Sequence, residues 1–467
     1  MDNSSESSTS IDISKIMAGT GPVAAEIEEE KDTSGVDVEA LASDMATMLG
    51  ALPKGDPYTI SRAPAYVRTG NEKLYEPMVI TIGPYHHDWE LEAMEKRKLL
   101  FVRDLLARST TKAILEVLLG RMKALENEAR RCYSERIDLT SKDFVKMMLL
   151  DGCFVIEYLL KFKEEKLFSG VYFIHTDLIL MENQIPFFII EGLFELLVGG
   201  AAESRPFLVE LIRHMYLKVP SLKIHDSGLP PPAKIHHLLH LYWHWAVPGD
   251  KKPSVSDQHS PPLERLICRL FSCFPWRKPV KETSFIPSAT ELHEAGVTLR
   301  KKASPRHMLD ITFRNGVMEI PLKKIEDLTK PILTNLVAFE QSMLDGPKNI
   351  TSFSVLMDSL ISKEKDVAIL QRCGVIDNWL GSEDEVSRFF NKLCEHAIID
   401  PDDHYFSELF SKVNSYYDTK WHSHRARLVH DYFSSPWSIL SLVAALVLLV
   451  LTLLQTFFAI YSYFRPF

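Results

Sequence analysis

From Tyr432 to Phe464 the chain carries no charged residue, and within that interval WSILSLVAALVLLVLTLLQTFFAIY runs from Trp437 to Tyr461. An apolar run of this length narrows the options sharply, because backbone amides removed from water must be paired and a helix pairs them locally. Twenty-five helical residues reach about 37 Å, against roughly 30 Å of hydrocarbon in a bilayer. Pro436 can open such a helix. Trp437 and Tyr461 stand where amphipathic rings prefer the two interfaces. The sequence therefore predicts a single-pass C-terminal transmembrane helix over 435–463, followed by a short tail, 464–467. Lys412, Lys420, Arg425 and Arg427 precede the span and Arg465 follows it, a bias that puts the body in the cytosol as a tail-anchored protein with the lipid bilayer as one partner. No basic stretch leads into an apolar one at the N-terminus, so no secretory signal is recognised. An extracellular body is the alternative, and the sequons at Asn3 and Asn349 would matter only there.

Charge is concentrated at the other end. Residues 1–56 hold twelve acids and three bases, which accounts for the whole net charge of −9 and leaves 50 acids and 50 bases in the remainder. This head is read as an acidic tail expected to be disordered. A neutral body without a basic stripe does not fit nucleic-acid binding, which needs clustered Lys and Arg against phosphate. The six cysteines, at 132, 153, 268, 273, 373 and 394, form no CxxC pair. They read as thiols rather than as a zinc site.

Between these ends, residues 57–434 read as one mainly α domain. Apolar residues recur at helical spacing over 91–107, 112–131, 141–163, 186–198, 206–216 and 232–245, and again from Pro331 onward. A polar, Pro-rich loop is expected near 247–262. LDITFRNGVMEIPL is the strongest β signal, with Asn315-Gly316 supplying the positive-φ turn of a hairpin. Ser288 and Glu291 have the spacing of a capping box. The predicted fold class is thus mainly α: a helical body with a small β-hairpin element, plus one C-terminal transmembrane helix.

Several blocks occur in order: PMVITIGPYHHDWELEAMEKRK, DGCFVIEYLL, DLILMENQIPFFIIEGLF, SATELHEAGVTLRKK, LDITFRNGVMEIPLKKIEDLTKPILTNLVAFEQ and MDSLISKEKDVAILQRCGVIDNWLGSEDEV. Ahead of the terminal apolar run, they resemble the plant family called domain of unknown function 247, over roughly residues 58–461. The resemblance implies an uncharacterised, mostly helical plant membrane protein without an established reaction. Some grass members are implicated in self-incompatibility, which points to recognition. Family members often open with a cysteine and a Val-Pro dipeptide, where this chain has YTISRAP. The motif positions carried over as structural are Gly83, Pro84, His86, Glu182, Asn183, Gln184, Pro186, Asn315, Gly316 and Glu340.

Candidate chemistry is sparse. His86 and His87 follow Gly-Pro-Tyr, and a helix-entry turn with Asp88 as N-cap is preferred over a ligand role. His236, His240 and His244 recur every four residues, a spacing that can hold a metal, but no Glu adjoins the first His as in zincins. Packing against Tyr242, Trp243 and Trp245 is the preferred reading, and no cofactor is expected. No Walker loop, nucleophile elbow or HExxH is present. Glu182, Asn183 and Gln184 stand between two apolar runs and are read as a helix junction, capping the helix that follows Pro186. The expected function is a non-enzymatic recognition or interaction protein with an unknown protein or peptide partner. The alternatives are an enzyme with a His-based, metal-dependent site and a structural adaptor at the cytosolic face of the membrane.

Overall fold

The computed structural model describes residues 37–51, 59–87, 92–108, 114–166, 172–198, 201–218, 230–247, 285–343, 346–395, 397–418, 444–445 and 447–457. The chain divides into two units, Met1–Pro57 and Tyr58–Phe467. In the first, the head read as a disordered tail contains a helix, α1 (Val38–Ala51). The Asp37 carboxylate accepts the Ala40 N–H at its start.

The second unit is built around α4 (Ser141–Lys163), apolar on nearly every side and buried from Phe144 to Leu159 apart from Lys146. Thr140 caps it by accepting the Asp143 N–H, and Lys161 and Lys163 occupy its last turn, where cations oppose the dipole favourably. Around it pack α2 (Glu92–Ala107), α3 (Ile114–Arg131), α6 (Phe187–Val198) and α7 (Ala201–Lys218). Gly152 lets α6 approach closely, since a Cβ there would meet the Leu193 side chain. Two acids inside α4 are ion-paired, Asp151 with Lys98 at 2.7 Å and Glu157 with Arg108 at 2.7 Å. Pairing is what makes a buried charge tolerable. The short α5 (Tyr172–Asp177) and α8 (Leu238–Ala246), with a single helical turn at Ala65–Arg68 and a 3-10 turn at Glu72–Leu74, complete this half.

The C-terminal half adds α9 (Ala289–Glu294), α10 (Thr329–Ser342), α11 (Asn349–Leu360), α12 (Glu364–Arg372), α13 (Glu383–Cys394) and α14 (Ser407–Tyr417). Ser288 and Glu291 form the expected capping box on α9. The expected hairpin joins β2 (Thr312–Arg314) to β3 (Val317–Ile320), with Phe313 opposite Met318. Asn315 and Gly316 both adopt positive φ in its turn, 50° and 76°. Two parallel pairings were not expected: β1 (Thr298–Lys301) lies along the other edge of β3, and β4 (Lys323–Ile325) pairs with β5 (Ile376–Asn378). The body is mainly helical with small sheets.

The transmembrane part of the expected fold is corrected. Among the described residues, no helix is long and apolar enough to cross a membrane. Of the terminal apolar run, residues 444–445 and 447–457 are described, and these are helical. Apolar composition is necessary for a span but not sufficient, since crossing also requires about twenty residues in one helix. The single-pass, tail-anchored arrangement and the membrane localisation drawn from it are therefore not supported. Trp437 and Tyr461, with the rest of 435–443, 446 and 458–463, lie outside the described residues, as do Asn3, Asp88, Cys268, Cys273, the loop from 248 to 262 and the tail 464–467.

Candidate functional site

α5 ends at Asp177, and the chain turns through Leu178–Pro186 before α6 begins. Apolar residues on both sides bury this turn, so every polar group in it needs a partner. Asn183 Oδ1 accepts the Ile82 N–H at 2.6 Å, while its amide donates to the carbonyls of Ile80 and Asp177. The Gln184 amide donates to the carbonyls of Leu178 and Leu180, and its Oε1 accepts the Leu239 N–H in the first turn of α8. The Asp177 carboxylate accepts three consecutive backbone N–H groups, from Met78, Val79 and Ile80, at 2.9, 2.7 and 2.9 Å. Asn335 of α10 accepts the Met181 N–H and donates to Leu74 and Pro331.

Glu182 is fully buried. The Arg68 guanidinium contacts both its oxygens at 2.6 Å, Arg62 donates at 3.2 Å, the Ala63 N–H donates at 3.2 Å, and His86 Nε2 lies 3.5 Å away. Burial pushes the carboxyl up, and His86, Arg68 and the Ala63 N–H outweigh it, so the net shift is downward. Gly83, with φ 78°, donates to Asp151, and a Cβ there would run into the Gln184 carbonyl. Together these groups fasten the lead-in segment at Arg62–Ala63 and the segment Met78–Gly83 to the turn after α5.

This differs from the capping role expected for the triplet. The Phe187 N–H at the start of α6 goes to the His236 carbonyl, and of the three side chains Gln184 is the one that reaches a helix start, that of α8. Asn183→Ala removes the acceptor of one buried N–H and the donors of two carbonyls, so a loss of about 2–4 kcal/mol is expected rather than the roughly 0.5–2 of a lost cap. Urea denaturation of the purified chain measures it.

The three histidines do not share a helix face. His236 precedes α8, His237 is its N-cap, and only His240 and His244 lie within it. His240 Nδ1 accepts the His236 N–H, and His244 Nε2 lies 2.9 Å from the Pro230 carbonyl. Burial lowers the His240 pKa to about 4, with His236 and His244 adding to the shift. Among the described residues no group of three His, Cys, Asp or Glu side chains is placed to hold a metal ion.

Glu340 of α10 receives four donors: Trp243 Nε1 at 2.9 Å, the N–H groups of Ile350 and Thr351 at 2.9 and 2.7 Å, and the Thr351 hydroxyl at 2.8 Å. It thus caps α11 from the interior and ties it to α8. On the outer side of the same helix start lies a cleft of about 470 Å³, lined by Lys348, Asn349, Ser352, Asp400, His404 and Tyr405. Asn349 of the sequon therefore sits in a cleft wall, with its Thr351 engaged by Glu340.

His175 is buried against the edges of Tyr158 and Phe162, and burial lowers its pKa to about 4. A folded value below the unfolded 6.5 means that its contribution to stability is present at neutral pH and lost as pH falls from about 6.5 to 4, by about 3 kcal/mol. Asp177 and Asp358, whose carboxyls burial raises to about 6, run the other way across part of that window. The expected result is therefore a difference: His175→Leu flattens the acid loss of stability between pH 6.5 and 4 relative to wild type, as read by urea midpoints at each pH.

Arg62, Arg68, Lys98, Asp151, Asp177 and Asn335 belong to this network and were not singled out from sequence. Asp177 and Asn335 had a usable signal, since each is a polar residue within an apolar run, as in TDLILMENQ and PILTNLVAF. The cations had none, because charged residues on helices and loops are ordinarily solvated.

DUF247, described as "Plant protein of unknown function", matches residues 60–451. The UPF0481 protein At3g47200 of Arabidopsis thaliana is 30% identical over 421 residues, covering 86% of each chain. The putative UPF0481 protein At3g02645 of the same plant is 24% identical over 486 residues, covering 88% of this chain and 91% of its own. No solved structure matches.

Proposed function

The chain belongs to DUF247, a family of plant proteins of unknown function, and from that premise we propose that it is a non-enzymatic recognition or interaction protein. The observation that carries this reading is the engagement of the buried acids and amides. Asp177, Glu182, Asn183, Gln184, Asn335 and Glu340, the side chains from which a catalyst would be built, act as acceptors and donors for backbone and ion-pair partners within the fold. Large apolar side chains stand on the outside instead, among them Leu99 and Leu100 of α2 and Trp379, which is 63% exposed with the Lys324 ammonium over its ring. Tryptophans such as Trp379 are enriched among the few residues that supply most of the binding energy in protein interfaces.

Cross-linking of the full-length chain in plant tissue tests the proposal, with wild type compared against Leu99→Glu and Trp379→Ala variants that keep the wild-type denaturation midpoint. A reproducible protein neighbour lost from one of these stable surface variants is the expected result. Turnover of a substrate by the purified chain, abolished by His240→Ala at unchanged stability, would overturn it.

A further inference from the structure

We infer that α1 is a docking helix for a partner protein that offers an apolar groove rimmed by basic side chains. Every described residue from Asp37 to Leu49 is exposed, and Val38, Leu41, Met45, Met48 and Leu49 are 50–72% exposed. At about 100° per residue these five side chains fall within an arc of roughly 100°, the width of a stripe that packs against another surface. Glu39, Ser43, Asp44 and Thr47 occupy the remainder. A helix of this length is marginal in water without such packing, so a surface that buries the stripe also stabilises the helix. The Asp37 cap and Glu39 in the first turn favour the helix before any partner arrives.

Charge selects the occupant. Between Lys31 and Lys54 stand Asp32, Asp37, Glu39 and Asp44, without one Lys or Arg. A second copy would bring a like-charged head against this one, since residues 1–56 carry the chain's whole net charge of −9, and an anionic lipid surface would repel it equally. A groove with an apolar floor and Lys or Arg along its rim matches both the stripe and its flanks, the geometry of helix-in-groove recognition. The inference extends the recognition reading, and its failure leaves that reading standing because the test acts on α1 alone.

The full-length chain is titrated by fluorescence anisotropy against two synthetic helical peptides. Both carry Leu at the a and d positions of a heptad, with Lys at e and g in one and Glu in the other. Binding to the Lys-rimmed peptide is expected to be at least about tenfold tighter than to the Glu-rimmed one, and to weaken at least about tenfold in the double variant Leu41→Asp with Met45→Asp. The aspartates separate stripe from charge, because attraction of the acidic head alone would tighten binding to a cationic peptide. Equal or tighter binding by the double variant overturns the inference. Self-association of the wild-type chain that this variant abolishes would assign the stripe to a second copy, and binding to phosphatidylcholine or phosphatidylserine vesicles lost in the variant would assign it to lipid; either result also overturns it.

Discussion

Glu340→Ala is expected to destabilise the body by about 4–8 kcal/mol, enough to approach the whole stability of an ordinary domain. Truncation leaves the Trp243 indole N–H, the N–H groups of Ile350 and Thr351 and the Thr351 hydroxyl without their acceptor, at a residue with no exposed surface. Each abandoned donor carries about 1–3 kcal/mol of desolvation, and water entering the vacated space recovers part of the sum. Glu340→Gln keeps an acceptor but turns an amide donor toward other donors, so about half of the loss is expected. The urea midpoint followed by tryptophan fluorescence reads both. A Glu340→Ala chain within about 1 kcal/mol of wild type would show that α8, α10 and α11 are joined by something other than this carboxylate.

Asp177→Ala should follow closely, at about 3–6 kcal/mol, because one carboxylate serves three successive backbone N–H groups. Those groups lie on Met78–Ile80, which pairs with no strand among the described residues. Without the acceptor, the segment can satisfy its amides only by exposing them, which also pulls Ile80 and Ile82 out of the core. Asp177→Asn retains one acceptor oxygen and is expected to lose less. Destabilisation of both variants by under about 1 kcal/mol would mean that the segment is held by its apolar side chains alone.

Residues that act locally were legible from the sequence. The helices of the first half followed from apolar spacing, the β2–β3 hairpin from Asn315-Gly316, and the α9 start from Ser288 and Glu291, because each depends on neighbours a few positions away. The parallel pairs β1–β3 and β4–β5 were not, since nothing local in TLRK or IDN specifies a partner strand brought in by a hairpin or across several helices. α1 was hidden by the acids around it: a head counted as charged was read as unstructured, although its apolar residues keep helical spacing. At the other end, composition misled in the opposite sense, and the apolar run read as a membrane span has no described helix long enough to cross one. For the triplet, the sequence showed that three polar residues were buried, but not what they hold. Their partners at Ala63, Arg68, Ile82 and Leu239 are brought in by the tertiary fold.

That Glu182, Asn183 and Gln184 fasten the fold rather than react is tested most directly by native-state hydrogen exchange at Val79, Ile80, Ile82 and Gly83, in wild type and in Asn183→Ala. In wild type, these amides are bonded to Asp177, Asn183 and Asp151 and are predicted to exchange only through global unfolding. Asn183→Ala is predicted to release Ile82 and its neighbours into faster exchange together with the loss of stability. Fast exchange of these amides in the wild-type chain, or an Asn183→Ala chain that keeps their protection while losing the capacity to bind a ligand, would contradict it.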